Sequence, residues 1–408
     1  MSRRLSPIEV GIADKTEEGR PRVEVADIFR MYGDAYREKV PLSREQRLAM
    51  RDIVECRTAA LGGHVDVCDS CGVLRVAYNS CRNRHCPKCG ALAKAEWLEA
   101  QKSHLLPTHY FHVVFTIDHD FNLIASFNQR AVYNLLFKTA SETLKAFGER
   151  YLGGQIGFTA VLHTWGQTLT QHIHLHCLVA GGALSFDQKR WIGTHPEFLF
   201  PIVELSGDFR DRFCNGMWRL FQQKKLRFVG ESKSLEDRVE FGKLVTSSNA
   251  KKWQVFAKPP FGNAEHMLNY LGRYINRMAI SNYRILDIEN GKVSFTYRDY
   301  KDDGKEKVLT LRAEEFIRRF LQHVVPSRFV RIRHYGFLAP CHRKKKLAIC
   351  RTLIGLVDTA KEKTRKEILQ EMLGHDPELC PVCSEGKMRR FEELDAHPLR
   401  RKWQLALS

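Results

Sequence analysis

Three kinds of side chain in this sequence could do chemistry by their type and spacing: thiols, imidazoles and phenols. Cys68-x2-Cys71 and Cys86-x2-Cys89 are separated by 14 residues, close to the spacing of a four-cysteine zinc ribbon. In such a ribbon each pair forms a knuckle that supplies two thiolates, and tetrahedral zinc closes the module. A segment with so little apolar surface of its own depends on the metal to fold. Cys56, His64, Cys81 and His85 are left over in the same window. They form either a second set of four zinc ligands or a group of buried thiols and imidazoles. Arg82, Arg84 and Lys88 stand among these ligands, where they could meet phosphates. A further pair, Cys380-x2-Cys383, is half a site that Cys341 and His342 could complete.

From Gln171 to Val179 histidines alternate with apolar residues. On a strand His172, His174 and His176 therefore share one face, while Ile173, Leu175 and Cys177 enter the core. Neighbouring same-face imidazoles can share one divalent ion. The third ligand stays open between Gln167 and His163 near the preceding turn and His172 itself, and the plainer alternative is a histidine-rich surface strand. Farther on, Met267, Leu271, Ile275 and Met278 make the core-facing stripe of a helix spanning Asn263 to Met278. Tyr270, Arg273, Tyr274 and Arg277 are rotated away from it, so two phenols lie one turn apart on a basic face. Alone, such a pair reads as ordinary amphipathic packing.

The elements that must position these groups are mixed. Ser43 and Gln46 form a capping box at the start of a helix, and Gly62 and Gly63 end that stretch. Phe111 to Ile117 reads as a buried strand, Ala131 to Phe147 as an amphipathic helix, and two strands flank a turn near Gly166. A helix from about Gly207 to Lys225, a strand at Trp253 to Pro259 and a hairpin around Asp302, Asp303 and Gly304 follow. The fold class is α+β with mostly antiparallel pairing. The expected division is an N-terminal arm over 1–40, flexible or ordered only by a partner, and a zinc-binding domain over 41–105. A catalytic domain over 106–285, a β-rich extension over 286–345 and a helical basic tail with the last cysteine pair over 346–408 complete it.

Lys and Arg exceed Asp and Glu by 65 to 47, a formal charge of +18 across 408 residues. A polyanion is the natural partner, because basic grooves gain affinity by releasing counterions from a phosphate backbone. No apolar run approaches the ~20 residues of a membrane span, and the first residues lack the apolar region of a secretory signal. The expected location is the cytoplasm. Twelve cysteines in such a chain point to metal ligation rather than disulfides. No internal repeat or phosphate-loop glycine signature is present.

His174-Leu175-His176 resembles the His-hydrophobic-His motif of the HUH endonucleases, and Tyr270-x3-Tyr274 resembles their two-tyrosine nucleophile motif. With the leading cysteine module and Phe329 to Pro340, the chain is similar to bacterial rolling-circle transposases of the insertion-sequence ninety-one type, over roughly residues 45 to 340. The resemblance implies an antiparallel-sheet nuclease core flanked by helices, behind an N-terminal zinc-ribbon-like module. It implies a transposase that cleaves and transfers single-stranded DNA or hairpins at element ends into target DNA, through 5′-phosphotyrosyl intermediates. Tyr270 and Tyr274 would be the nucleophiles, with Mg²⁺ or Mn²⁺ on His174 and His176 and structural Zn²⁺ on the cysteines. Arg82, Arg84, Lys88, Arg273, Arg277, Arg331 and Arg333 are the expected DNA contacts, together with Tyr297, Arg298, Tyr300 and Lys301 from the later hairpin.

Three other readings compete. Arg331, Arg333, His334 and Tyr335 suggest a metal-independent tyrosine recombinase. A zinc-ribbon regulator would bind DNA without forming an adduct, and a histidine-metal hydrolase would cut with water and never become attached.

Overall fold

The computed structural model describes residues 21–258, 272, 279–355 and 363–396. The N-terminal part consists of α1 (Val25–Lys39), α2 (Arg44–Glu55), β1 (Gly63–Cys68), β2 (Leu74–Tyr78) and α3 (Gly90–Lys102). The central part runs β3 (Tyr110–Thr116), α4 (Asn122–Phe127), α5 (Gln129–Leu152), β4 (Gly154–Trp165), β5 (Gln171–Ser185) and β6 (Trp191–Gly193). It continues through α6 (Ile202–Gln222), α7 (Arg238–Ala250) and β7 (Val255–Lys258). Then come β8 (Ile285–Glu289), β9 (Lys292–Asp299), β10 (Lys305–Arg312), α8 (Ala313–Leu321), β11 (Ile332–Gly336), α9 (Arg343–Ile354), α10 (Arg365–Leu373) and β12 (Met388–Leu394).

The central sheet has the order β11-β4-β5-β3-β7, all neighbours antiparallel, with β6 on the end of β5. Strict alternation sorts its side chains. Phe111, Val113 and Phe115 of β3, Phe158, Ala160 and Leu162 of β4, and Ile173, Leu175 and Cys177 of β5 are buried on one face. Val132, Leu136, Ala140 and Leu144 repeat every four residues along α5 and bury against that face, joined by Phe209, Phe213 and Met217 of α6. Burying each such side chain stabilises by roughly 1.5–3 kcal/mol, so this face fixes the sheet rigidly. α5 stops where Gly153 enters the left-handed region at φ 59°, as αL caps do.

The opposite face carries the even-numbered residues of β3 and β5, including the histidines. Its far end is covered by a second apolar cluster in which Phe337, Leu338, Leu347 and Cys350 meet Val161, Leu178 and Leu184.

Three expected assignments change. The N-terminal arm is ordered from Val25 onward: Val25, Ile28 and Phe29 are buried against α2 and α8, with Phe29 edge-on to Phe320 at 5.4 Å. Its polar composition conceals an amphipathic stripe that becomes core only once α8 is folded beside it. Nor is the β-rich extension one unit. β8, β9 and β10 make their own sheet, whereas β11 joins the central sheet as an edge strand. The last cysteine pair likewise leaves the tail, because β12 pairs with β1 across most of the chain. The capping box of Ser43 and Gln46 is present, and the two strands around Gly166 pair as expected. The helix expected over Asn263 to Met278, with Tyr270, Arg273, Tyr274 and Arg277, lies outside the described residues except for Gly272. Among the described residues no helix is long and apolar enough to cross a membrane.

Candidate metal centre

β4 and β5 set His163 directly opposite His174, and directly paired residues of antiparallel strands share a face. His176 is two residues farther along β5 on that same face. The three imidazoles offer nitrogens within 4.8 Å of one another and are 3%, 8% and 6% exposed, respectively. His174 Nε2 and His176 Nε2 stand 3.0 Å apart. Two ligands about 2.1 Å from a shared octahedral ion are separated by about this distance, so the donor set fits a metal.

The ring orientations are built from behind. His174 Nδ1 lies 2.8 Å from the carbonyl oxygen of His172 and can only donate to it, which leaves Nε2 with a lone pair. His176 Nδ1 contacts His112 Nε2 at 2.8 Å. With His176 Nδ1–H donating to His112, the outward nitrogen of His176 likewise carries a lone pair that can ligate. His163 stacks on Trp165 at 5.0 Å. Burial, reinforced by mutual repulsion among the rings, holds His174 down to about 3 and His176 well below the usual histidine range. His174 and His176 are therefore neutral at physiological pH, the state that metal binding requires.

These histidines floor a cleft of about 1130 Å³. Its walls include Gly90, Ala91 and Lys94 of α3, Gln167 of the β4–β5 turn, Arg284, and Tyr297, Arg298 and Tyr300 of the β9–β10 hairpin. Arg284 ties two walls together, donating to the Gln167 carbonyl at 2.6 Å and the Thr296 carbonyl at 2.8 Å. Gly272, the described residue between the two expected tyrosines, would place a Cβ 2.6 Å from Leu98 of α3. Gly272 itself is therefore in close contact with the helix that forms one wall.

Of the three residues left open for the third ligand, His163 joins the cluster. His172 does not: it lines the cleft and stacks on His119 at 5.3 Å. His112 is a positioning residue absent from the sequence reading. The signal was available, since His112 alternates with the apolar residues of Phe111 to Phe115 and so had to face the histidine side.

The cysteines group differently from expectation. Cys56, Cys81, Cys86 and Cys89 form one cluster, with sulfurs of Cys56 and Cys81 at 3.3 and 3.5 Å from that of Cys89. Cys68 and Cys71 meet Cys380 and Cys383 instead of Cys86 and Cys89. A zinc tetrahedron with bonds of about 2.3 Å has edges of about 3.8 Å, whereas a disulfide needs about 2.05 Å; free thiols gathered for a metal fit both clusters. The expected spacer fails because β1 and β2 carry the first knuckle away from the second. His64 contacts Asp66 at 3.4 Å. His85 sits near Arg84, Arg331 and His323, and burial pushes it well down; neither histidine joins a cysteine cluster. Cys341 and His342 do not complete the last pair.

Several expected DNA contacts are engaged within the fold. Arg84 donates to the Phe329 carbonyl at 2.6 Å, and Lys88 pairs with Glu24. Arg333 donates to Asn134 at 2.6 Å and lies over the Phe137 ring at 4.0 Å. Burial next to Arg84 pulls Arg331 down to about 10. Arg82 is exposed. Strand alternation also dissolves the recombinase constellation. Tyr335 stacks on Phe158 at 5.1 Å on the α5 side, with Arg333 above it, while His334 turns the other way to Thr159. The four side chains cannot converge on one phosphate.

Comparison with known proteins agrees with this layout. The family described as "Putative transposase" matches residues 157–346, and the "Transposase zinc-binding domain" matches residues 28–117. A "Putative transposase" of Sinorhizobium fredii is 48% identical over 380 residues, 91% of this chain and 96% of that protein. The "Transposase for insertion sequence element IS801" of Pseudomonas savastanoi pv. phaseolicola is 26% identical over 307 residues, 70% of this chain and 68% of that one. No solved structure matches. An antiparallel α/β core with a three-histidine cleft, a cysteine module at its front and near-full-length similarity to the Sinorhizobium fredii protein lead to one conclusion: the chain belongs to the insertion-sequence ninety-one family of transposases and carries their zinc-binding domain.

Proposed function

We propose that this transposase cleaves and rejoins single-stranded DNA at element ends through 5′-phosphotyrosyl intermediates, by a rolling-circle-like route. One observation carries the reading: three buried imidazoles converge on the floor of a cleft whose walls are cationic and aromatic. His163, His174 and His176 would hold the divalent ion, and the Cys56, Cys81, Cys86 and Cys89 cluster would hold structural zinc. When bound, the catalytic ion polarises the scissile phosphate and offsets its developing charge. Three imidazoles without a carboxylate favour Mn²⁺ over Mg²⁺, since Mg²⁺ selects oxygen donors.

The remaining work falls to the chain's own residues. Lys94, Arg284 and Arg298 line the path of a polyanion, and Tyr297 and Tyr300 offer rings for unpaired bases. Tyr270 or Tyr274 supplies the nucleophile. Its Oη loses its proton to solvent and attacks phosphorus, the P–O3′ bond breaks, and the departing 3′ oxygen takes up a proton from solvent. The phosphodiester energy is kept in the tyrosyl ester, so a later attack by a 3′-OH restores DNA without ATP. The second tyrosine allows another cleavage while the first strand is held.

The test is incubation of the purified protein with 5′- or 3′-labelled single strands spanning candidate element ends, with Mg²⁺, Mn²⁺ or EDTA, on denaturing gels. A metal-dependent adduct at the 5′ side is expected, lost in Tyr270→Phe/Tyr274→Phe and in His174→Ala/His176→Ala. Cleavage without attachment would support the hydrolase instead, and binding without any cleavage would support the regulator.

A further inference from the structure

Among the described residues, the second cysteine cluster takes no part in the cleft and joins segments more than 300 residues apart. Cys68 and Cys71 lie at the end of β1 and in the turn that follows, while Cys380 and Cys383 precede β12. We propose that these four thiolates bind a second structural zinc ion, which clasps the C-terminal strand to the N-terminal module and makes the two chain ends one folded unit.

The geometry is that of two facing knuckles. The sulfurs of Cys68 and Cys383 are 3.7 Å apart, as are those of Cys71 and Cys380, matching the edge of about 3.8 Å for tetrahedral zinc–sulfur coordination. Each loop curls its amides onto sulfur. Ser70 N and Cys71 N donate to Cys68 Sγ at 3.4 Å, and Val382 N donates to Cys380 Sγ and Gly386 N to Cys383 Sγ at the same distance. Such donors stabilise the charged thiolate that a metal requires. The loops are also zipped to each other. Lys387 N donates to Asp69 Oδ1 at 2.7 Å, and Asp69 N donates to the Lys387 carbonyl at 3.1 Å. The approach is so close that a Cβ on Gly386 would stand 2.5 Å from Cys68 Sγ; only glycine fits there.

The strand this arrangement delivers has little else to hold it. Most of β12 is exposed, including Phe391 at 67%. Its apolar burial is slight, and besides the ladder to β1 it is tied by exposed ion pairs, Arg389 with Asp69 at 3.4 Å and Arg390 with Asp66 at 3.3 Å, which contribute little. Metal binding, with the thiol protons released to solvent, supplies folding free energy that the sequence does not supply by burial.

The test uses the full-length zinc-loaded wild type. Zinc is withdrawn stepwise with a chelator while newly freed thiols are alkylated and mapped by mass spectrometry. Cys68, Cys71, Cys380 and Cys383 are expected to become reactive together with loss of one equivalent, separately from Cys56, Cys81, Cys86 and Cys89. Co-release of Cys68 and Cys71 with Cys86 and Cys89, with Cys380 and Cys383 reactive from the outset, would overturn the clasp. In the cobalt-substituted protein, Cys380→Ser/Cys383→Ser should halve the thiolate-to-cobalt absorption and speed amide exchange across Arg389 to Leu394. Undiminished absorption in that variant would count equally against it.

Discussion

The histidine centre and the cysteine centres solve opposite problems. His163, His174 and His176 sit on adjacent strands whose other face is clamped by α5 and α6, and each ring is oriented or packed by neighbours before any metal arrives. There the fold makes the site. Cys68, Cys71, Cys380 and Cys383 lie in turns and strand ends with little buried apolar surface around β1, β2 and β12, so there the metal would make the fold. Cys56, Cys81, Cys86 and Cys89 instead join the end of α2 to the start of α3, with Cys56 and Cys86 buried in the core of α1, α2 and α8. The lesson is that the same kind of ligand cluster should fail in different ways when it is broken.

The largest effect should follow from Cys81→Ser/Cys86→Ser. Zinc in small cysteine modules contributes about 10 kcal/mol or more of folding free energy, so amide protection should collapse locally, α2 and the Cys81–Cys89 turn included, in hydrogen-exchange mass spectrometry. By contrast, His174→Ala/His176→Ala should lower strand cleavage by roughly 10³-fold, for an ion supplying several kcal/mol, while the melting temperature in EDTA-free buffer stays near wild type. A melting loss as large as that of the cysteine variant would erase the contrast.

Smaller changes sharpen it. His112→Ala removes the group that orients His176 and should weaken Mn²⁺ binding about 10–100-fold, measured by calorimetry, with cleavage recovered at high Mn²⁺. Arg333→Ala should cost about 1–2 kcal/mol in denaturant unfolding, from its contacts with Asn134 and Phe137. The salt dependence of its DNA affinity should not change, because this guanidinium braces α5.

The smallest effect concerns pH. His323 is buried between Thr164 and the Leu169 carbonyl, and burial holds it down to about 4. Its folded pKa is depressed below the unfolded value of about 6.5, so the unfolded chain binds more protons in that window. The resulting stability is full above pH 6.5 and declines as pH falls toward 4. His323→Gln should flatten the acid limb of the melting-temperature profile between those values.

Much of the sheet was legible because alternation is a local property. Phe111 to Ile117 and His172 to Val179 name their own inward and outward faces, and Ser43 with Gln46 announces a helix start. His174 and His176 could be read as neighbours for the same reason. Arg331 to Tyr335 misled because a run of reactive residue types on a strand is split between two faces. The arm at α1 misled because its apolar stripe acquires meaning only against α8.

By itself, then, the sequence determined the strand carrying the histidines, the polyanionic partner and the presence of metal-binding thiols, since each is encoded in residue type and short spacing. Only the tertiary structure decided which histidine joins the cluster of His174 and His176, which arginines are engaged inside the fold and which cysteines gather together. Those depend on strand register and on contacts between segments hundreds of residues apart, such as Cys68 with Cys383, and no local periodicity encodes them.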